Sequence, residues 1–318
     1  MILPSRPGSS RRALLGGLGG LALAGLARPL RAAGDAPLVF AFQPQKDPAA
    51  IKAAAERVSA ALSARLGRRV EVLIPLAYAA TVQALVSRRA DVAWVSSLPF
   101  LLAERDGGAE LLLAEVRTDP QGRARTDYDS VFVVPSDSPL GDFEDLKRSA
   151  RTIRLAFTSN TSTSGFVFPY ARMVREGLLR RGEPPEKAFR SVSYAGGYTQ
   201  ALEQLLAGRA DVAAVSDYTV EGPRRSVYLP EERQARLRIL ARTPGVPTHV
   251  VAVRGGLDGR TRAAIRRALL DLSRTDPGLL SDVYGAARLA IVDPRAHVRA
   301  TVEAIRLTGL PIRGLVGA

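Results

Sequence analysis

Residues 158–166 of this chain read Thr-Ser-Asn-Thr-Ser-Thr-Ser-Gly-Phe, and the fold can be worked out from this stretch. The apolar run before it, residues 152–157, predicts a buried strand, and residues 166–179 carry apolar side chains at helical spacing. Such a strand, hydroxyl run and helix start suit an anion, because the first N–H groups of a helix lack partners and carry partial positive charge. A plain N-cap loop is the alternative, since serine, threonine and asparagine also cap helices. The stretch holds more hydroxyl groups than one cap needs, which favours an anion site.

The length and composition predict a globular protein of two domains with a separate N-terminal segment. The chain has 318 residues, of which 46% are hydrophobic and 24% charged, and a single core rarely grows to that size. Two arginines at 11–12 precede a Gly/Ala/Leu-rich run at 14–27, and small residues follow it. This pattern predicts a cleaved twin-arginine (Tat) signal peptide at residues 1–33, with a disordered tail or a lone membrane anchor as the alternative. We therefore expect an exported protein that is free in the periplasm.

The absence of cysteine and the basic charge both restrict the function. Without cysteine there can be no disulfide framework, no thiolate metal site and no lipid-anchored N-terminal cysteine, so the protein is not expected to be a lipoprotein. Removal of residues 1–33 takes away five arginines and lowers the formal net charge from +14 to +9. The remaining basic residues are scattered over amphipathic helices without a nucleic-acid-binding motif, so we expect no nucleic-acid partner. The excess positive charge still favours small anionic ligands.

Strand and helix patterns alternate from residue 37 onward and predict an α/β fold with two lobes. Each lobe is expected to be a mostly parallel sheet flanked by helices, because repeated βα units build such sheets. The chain is expected to cross between the lobes near residues 131–135 and to return with a strand at 249–253. The predicted lobes, joined by a two-strand hinge, are residues 34–131 plus 250–318 for lobe 1 and 132–249 for lobe 2.

One segment of the sequence occurs twice, which fits two similarly built lobes. Residues 78–96 align without gaps on residues 198–216, and both copies end in Arg-Ala-Asp-Val-Ala-x-Val-Ser. Each copy predicts a helix that begins at a tyrosine, followed by a strand that ends at a serine. Ligands of such sheets bind at the carboxyl ends of strands and at helix starts. The cleft candidates are therefore Tyr78, Ser96, Tyr198, Ser216 and Asp217. Either tyrosine could instead pack at a helix entry without touching a ligand.

These features resemble the periplasmic phosphate/phosphite/phosphonate substrate-binding proteins of ABC importers, which have the type II periplasmic binding protein fold. The resemblance covers roughly residues 38–310. It rests on Ser-Thr-Ser-Gly-Phe at 162–166, on Tyr78, on the two Ala-Asp-Val-Ala segments and on Ala-Gly-Gly at 195–197.

The resemblance implies roles for the hydroxyl residues. Ser162, Thr163 and Ser164, with the amides leading into Gly165, would hold the oxygens of a phosphonyl group, and Tyr78 would reach it from the opposite lobe. Closure of the lobes about the hinge would trap the ligand. The expected partners are a small anion of the phosphate, phosphite or phosphonate class and the membrane permease of an ABC importer. We expect a monomer without a cofactor.

Three positions depart from the pattern of the family. Val95 stands where members often have a tyrosine, Gly197 where some have a ligand-binding histidine, and His249 where one expects a carboxylate. A histidine serves an ammonium group poorly, so we expect an oxyanion or an organic anion without an amine rather than an aminoalkyl phosphonate. His249 could also be a structural residue at a strand end. The residues expected to shape selectivity are Tyr78, Ser96, Tyr198, Asp217 and His249.

Catalysis is not expected. The sequence has no Gly-x-Ser-x-Gly elbow, no Ser-x-x-Lys pair and no Walker-type loop, and two histidines without cysteine argue against a metal site. The remaining alternative is a ligand-loaded periplasmic sensor protein that docks on a membrane histidine kinase, because its fold and pocket would be the same.

Overall fold

Two β-sheets organise residues 36–311, the part of the chain that the computed structural model describes. The signal peptide predicted at residues 1–33 lies outside the described residues. The strands are β1 (Leu38–Phe42), β2 (Val70–Leu73), β3 (Val92–Val95), β4 (Glu110–Thr118), β5 (Ala124–Arg125), β6 (Asp127–Pro135), β7 (Arg154–Phe157), β8 (Ser191–Tyr194), β9 (Val212–Ser216), β10 (Leu237–Pro247), β11 (Val250–Val253) and β12 (Arg288–Ala290).

The first sheet has the strand order β2-β1-β3-β11-β4-β12, with β5 paired to β4. β1 runs parallel to β2 and β3, whereas β11 runs antiparallel to β3 and β4. The carboxyl ends of β1, β3 and β4 therefore share one edge of the sheet with the start of β11.

The second sheet repeats this arrangement in the order β8-β7-β9-β6-β10. β7 runs parallel to β8 and β9, and β6 runs antiparallel to β9 and β10. The prediction of a two-lobe α/β fold is confirmed. Both sheets are mixed rather than mostly parallel. Each has a core of three parallel strands and further strands that include antiparallel pairs, several of them next to the chain crossings. We call each sheet with the helices that cover it a lobe.

The two chain crossings lie side by side. The first occupies residues 119–126, before β6, and the second consists of Thr248 and His249, between β10 and β11. The backbone N–H of Thr248 donates to the carbonyl of Thr126 at 3.0 Å, and its hydroxyl donates to the carbonyl of Glu115 at 2.6 Å. The boundary placed at 131/132 from the sequence falls inside β6, which pairs with β9 and β10.

Ten α-helices cover the sheets within the described residues. They are α1 (Pro48–Leu66), α2 (Tyr78–Val86), α3 (Ser97–Gly107), α4 (Phe143–Ser149), α5 (Phe168–Arg175), α6 (Tyr198–Leu206), α7 (Glu231–Gln234), α8 (Gly259–Thr275), α9 (Pro277–Tyr284) and α10 (Pro294–Thr308). α1 starts where Asp47 accepts the N–H of Ala50 at 2.8 Å and ends at Gly67, whose φ of 60° suits glycine. Between residues 36 and 311, none of these helices is long and apolar enough to cross a membrane.

The repeated segment forms the same unit in both lobes, α2 with β3 and α6 with β9. Its aspartate has the same task in each copy. Asp91 accepts the backbone N–H of Val39 at 3.0 Å, and Asp211 accepts that of Arg154 at 2.7 Å. The aspartate thus fixes each strand to its parallel neighbour, which explains its recurrence without a role in binding.

The apolar faces of the helices and sheets form the cores. In the first lobe, Ile51, Val58 and Leu62 of α1 are buried in one cluster with Trp94 of β3. The last helix, α10, packs against α5 and β10 of the second lobe. These cores hold the two sheets so that the edges at the carboxyl ends of their parallel strands face each other. The candidate site lies between these two edges.

Candidate functional site

The hydroxyl loop, which we define as residues 158–165, follows β7 and leads through a π-helical turn at Thr163–Val167 into α5. Its threonines and serines are almost all buried, which is costly for hydroxyl groups unless they find partners. No exposed surface remains on Thr158, Thr161, Ser162, Thr163 and Ser164. A loop that buries five hydroxyl side chains at the edge of a cleft is suited to a polar ligand.

The shape of the loop depends on Gly165. Ser162 caps the turn by accepting the N–H of Gly165 at 3.0 Å. A Cβ atom on Gly165 would lie 2.2 Å from Oγ1 of Thr158, so no larger residue fits there. Among the described residues, Ser162 Oγ has that one hydrogen bond, which leaves its proton free for a ligand.

Ser164 is the centre of a hydroxyl cluster in the second lobe. Its Oγ lies 2.9 Å from the hydroxyl of Tyr198 and 3.0 Å from Oγ of Ser216. The hydroxyl of Tyr128 approaches it at 3.4 Å, and Ser130 donates to the Ser164 carbonyl at 2.7 Å. The candidates Ser164, Tyr198 and Ser216 are therefore brought together. Tyr128 joins them from β6.

Thr163 reaches into the first lobe. Its Oγ1 accepts the N–H of Leu98 at 2.9 Å, in the first turn of α3, and lies 3.3 Å from Oγ of Ser97. Ser97 in turn lies 2.8 Å from Oγ1 of Thr301 on α10. The hydroxyl loop therefore contacts the opposite lobe directly.

Tyr78 and Ser96 enter from the first lobe. Tyr78 begins α2, is fully buried, and its hydroxyl has no hydrogen-bond partner among residues 36–311. Burial, together with the hydroxyls of Tyr198 and Tyr128, raises the pKa of Tyr78 well above its usual value, so it is a neutral donor. Ser96 is held by Gln43, whose Oε1 accepts the Ser96 N–H at 3.1 Å.

A buried ion pair lies at the same edge of the first sheet. Arg117 Nε donates to Oε2 of Glu115 at 2.9 Å, and another guanidinium N–H donates to the carbonyl of Tyr284 at 2.9 Å. The guanidinium carbon lies 3.6 Å from the ring centroid of Tyr218, in the second lobe. Burial raises the pKa of Glu115, while the charge of Arg117 opposes that rise.

His249 stands beside this pair, at the start of β11. Its Nδ1 lies 3.7 Å from Oε2 of Glu115, and its ring stacks on Tyr128 with centroids 6.1 Å apart. Burial and the charge of Arg117 hold the pKa of His249 well below its usual value, so the ring is neutral. Neither ring nitrogen has a hydrogen-bond partner within the described residues.

Asp217 occupies the edge of the cleft, but its carboxylate is already engaged. It accepts the backbone N–H of Asp129 at 3.1 Å and that of Tyr218 at 2.7 Å. Burial raises the pKa of Asp217 to about 7 despite these hydrogen bonds. Of the predicted residues it is the one whose contacts fit a structural task best.

Sequence reasoning missed several residues that face the cleft: Gln43, Gln45, Ser97, Glu115, Arg117, Tyr128, Tyr218, Tyr228 and Tyr284. One signal for them existed, because Glu115 and Arg117 interrupt an otherwise apolar strand. The others lie at or near the ends of strands, helices and short turns, and nothing in their local pattern separates them from surface residues.

The lobes touch across the cleft, and a cavity of about 380 Å³ opens beside Arg117. Tyr198 N–H donates to the carbonyl of Gln45 at 2.8 Å, and the hydroxyl of Tyr228 donates to the Tyr284 carbonyl at 2.8 Å. At the rim, Arg224 pairs with Asp282 at 2.8 Å. Residues 36–311 contain no cluster of three histidine or acidic side chains arranged to hold a metal ion.

Two lobes with facing carboxyl edges and a buried polar cleft define the class of two-lobe binding proteins. Residues 40–297 match the family described as the phosphonate ABC transporter periplasmic substrate-binding proteins. The match covers most of the chain, and the chain belongs to this family.

The comparisons with individual proteins agree. The chain is 24% identical over 193 residues to the phosphate-import protein PhnD of Mycolicibacterium smegmatis, a match covering 58% of this chain and 56% of that protein. It therefore spans little more than half the length of that relative. A binding protein component of an ABC phosphonate transporter from Pseudomonas aeruginosa has the same fold, with a TM-score of 0.74 at 18% identity over 86% of this chain and 88% of that one. PhnD1 of Prochlorococcus marinus, solved with methylphosphonate, gives a TM-score of 0.71 at 18% identity over 86% and 98%.

Proposed function

We propose that this protein captures a phosphate-like oxyanion or an organophosphonate in the cleft between its lobes and delivers it to an ABC importer. The observation that carries the proposal is the hydroxyl loop, whose serines and threonines are buried where the two lobes meet. An anion desolvated there needs donors, and hydrogen bonds to a charged group are stronger than neutral ones.

Each lobe has a part in this proposal. The hydroxyls of Ser162, Thr163 and Ser164 and the amides leading into Gly165 hold the anionic oxygens. Tyr78 donates its unpartnered hydroxyl from the opposite lobe. Selectivity is then set by Ser96, Tyr198 and His249 in the cleft, whereas Asp217, whose carboxylate already accepts two backbone N–H groups, acts only by shaping the edge of the cleft. The ligand leaves unchanged, since binding and release require no bond to be made or broken.

The same proposal includes where the protein acts and what it docks on. Residues 1–33 act as a Tat-type signal peptide, and the mature protein works as a monomer in the periplasm. The lobes close on each other about the two crossings, residues 119–126 and 248–249, and the closed form docks on a membrane permease. Docking on a sensor kinase would leave the ligand chemistry unchanged and would appear as binding without uptake.

Calorimetric titration of the mature protein, unfolded and refolded to remove any carried-over ligand, tests the proposal. The panel is phosphate, phosphite, methylphosphonate and sulfate. We expect at least one of the phosphorus oxyanions to bind at micromolar concentration or tighter. The double variant Ser162→Ala/Ser164→Ala should weaken that binding by about 100-fold or more, because each hydrogen bond to a charged group is worth about 1.5–3 kcal/mol.

The exposed serines outside the cleft offer a matched control. Ser87→Ala/Ser136→Ala removes two hydroxyls as well and should bind like the wild type. If none of the anions binds, or if both double variants lose the same amount of binding affinity, the assignment of the hydroxyl loop as the anion site would be contradicted.

A further inference from the structure

The wall of the cleft opposite the hydroxyl loop has its own unpartnered polar atoms. We call the set of Gln43, Gln45, Glu115 and His249 the polar wall. All four side chains are fully buried. Within residues 36–311, no hydrogen-bond partner exists for Nε2 of either glutamine, for Oε1 of Glu115 or for the ring nitrogens of His249. Buried polar atoms without partners are costly, so their recurrence in one place points to a ligand group that completes them.

A single tyrosine, Tyr128, contacts both the hydroxyl loop and the polar wall. Tyr128 reaches Ser164 with its hydroxyl at 3.4 Å while its ring stacks on His249. Tyr218 packs edge-on against Tyr128 with ring centroids 4.9 Å apart, and its hydroxyl lies 3.5 Å from Oε1 of Gln45. A small ligand held by the hydroxyl loop would therefore extend its second substituent towards the polar wall.

The free atoms of the wall are both donors and acceptors. Oε1 of Gln43 is fixed as an acceptor by the Ser96 N–H, so its free Nε2 is a donor. Arg117 occupies only one oxygen of Glu115, which leaves the carboxylate an acceptor that a ligand would share with the indole N–H of Trp94. Neutral His249 has one donor and one acceptor nitrogen.

This mixture discriminates between substituents. An ammonium group has donors only, so it could satisfy Glu115 but would leave the N–H groups of the glutamines without acceptors and would lie near the charge of Arg117. A carboxylate has acceptors only, so it could satisfy the glutamines but would leave the free oxygen of Glu115 without a donor. A hydroxyl group both donates and accepts, so it can satisfy Glu115 and His249 or a glutamine together.

Given the proposed function, we infer that the polar wall selects oxyanions whose second substituent ends in a hydroxyl group, such as a short hydroxyalkyl phosphonate or the P–OH group of phosphate itself. Asp217 does not compete with this preference by binding an amine, because its carboxylate already accepts two backbone N–H groups.

Four phosphonates with two-carbon substituents test the inference on the wild-type protein: ethylphosphonate, 2-hydroxyethylphosphonate, 2-aminoethylphosphonate and phosphonoacetate. We expect 2-hydroxyethylphosphonate to bind about tenfold tighter than ethylphosphonate, the value of one net hydrogen bond, and tighter than the other two. Tightest binding of the amine or the carboxylate, or equal binding of all four, would overturn the inference and leave the oxyanion site standing. Failure of all four and of phosphate would overturn the proposed function and this inference together.

His249→Leu tests the wall itself. Since neither ring nitrogen has a protein partner, the substitution should not lower thermal stability. It should remove the tenfold preference for 2-hydroxyethylphosphonate, measured as the ratio of the affinities for 2-hydroxyethylphosphonate and ethylphosphonate in the same variant. His297→Leu replaces the other histidine of the chain and should keep the ranking of the four ligands. An unchanged preference in His249→Leu would contradict a role for this residue in selectivity.

Discussion

The buried ion pair between Arg117 and Glu115 gives the sharpest stability prediction. Glu115 is fully buried and 5% of Arg117 is exposed, and they contact at 2.9 Å. Arg117→Met removes the cation while keeping an apolar stem of similar length. It leaves Glu115 buried without its cationic partner.

Removing one partner of a buried pair costs about 3–5 kcal/mol, because the remaining charge is desolvated without compensation. The loss of the Tyr284 carbonyl contact and of the stacking on Tyr218 acts in the same direction. We therefore expect Arg117→Met to lose about 3–5 kcal/mol of unfolding free energy, out of a total of about 5–15 kcal/mol for an ordinary domain. The double variant Glu115→Leu/Arg117→Met should recover most of the loss, because no unpaired charge remains.

Urea unfolding followed by fluorescence measures this effect. Trp94 is the single tryptophan of the chain, is fully buried, and packs edge-on against Tyr284 with ring centroids 5.1 Å apart. Its emission therefore reports directly on this part of the first lobe.

The pH dependence provides an independent check on the same pair. Without Arg117, burial raises the pKa of Glu115 further, and a carboxyl whose folded-state pKa is raised stabilises at low pH and loses that contribution as pH rises. The deficit of Arg117→Met should therefore shrink as pH falls from 7 towards about 4.5, near the pKa of an unfolded glutamate. A deficit below about 1 kcal/mol, or one independent of pH, would contradict a stabilising role for the buried ion pair.

Three further predictions follow from single contacts. Gly165→Ala should abolish ligand binding and lower the melting temperature, because its Cβ would lie 2.2 Å from Oγ1 of Thr158, and near-normal calorimetric binding would contradict this. Burial raises the pKa of Asp217 to about 7, so the stability that this group provides is greatest below pH 4 and is lost as pH rises through 7. In urea titrations, the unfolding free energy of Asp217→Asn should therefore rise relative to that of the wild type between pH 4 and pH 8. A difference that stays constant with pH would contradict the raised pKa. Arg224→Ala breaks a rim pair with Asp282 that is partly exposed, so stopped-flow ligand dissociation should speed up by only a few-fold at low salt, and a 100-fold change would contradict it.

Much of the fold could be predicted from local patterns. The duplicated segment predicted matching helix–strand units, and both occur, as α2 with β3 and α6 with β9. The strand before the hydroxyl stretch and the helix after it could also be predicted, because their signals lie within a few residues of each other.

The remainder depends on contacts between distant residues. The antiparallel strands β6 and β11 each begin directly after a chain crossing, and no local period encodes which strand of the new lobe they pair with. The contact between Tyr128 and Ser164 spans 36 residues, and that between Thr163 and Leu98 spans 65. The structural role of the shared aspartate, Asp91 and Asp211, likewise depends on hydrogen bonds to a neighbouring strand that is distant in sequence.

A crystal structure with bound methylphosphonate would locate the anion site. We expect phosphonyl oxygens within about 2.5–3.0 Å of the hydroxyls of Ser162, Thr163 or Ser164 and of the Tyr78 hydroxyl. A ligand bound instead in the cavity beside Arg117 and Arg224, with the hydroxyl loop untouched, would contradict it.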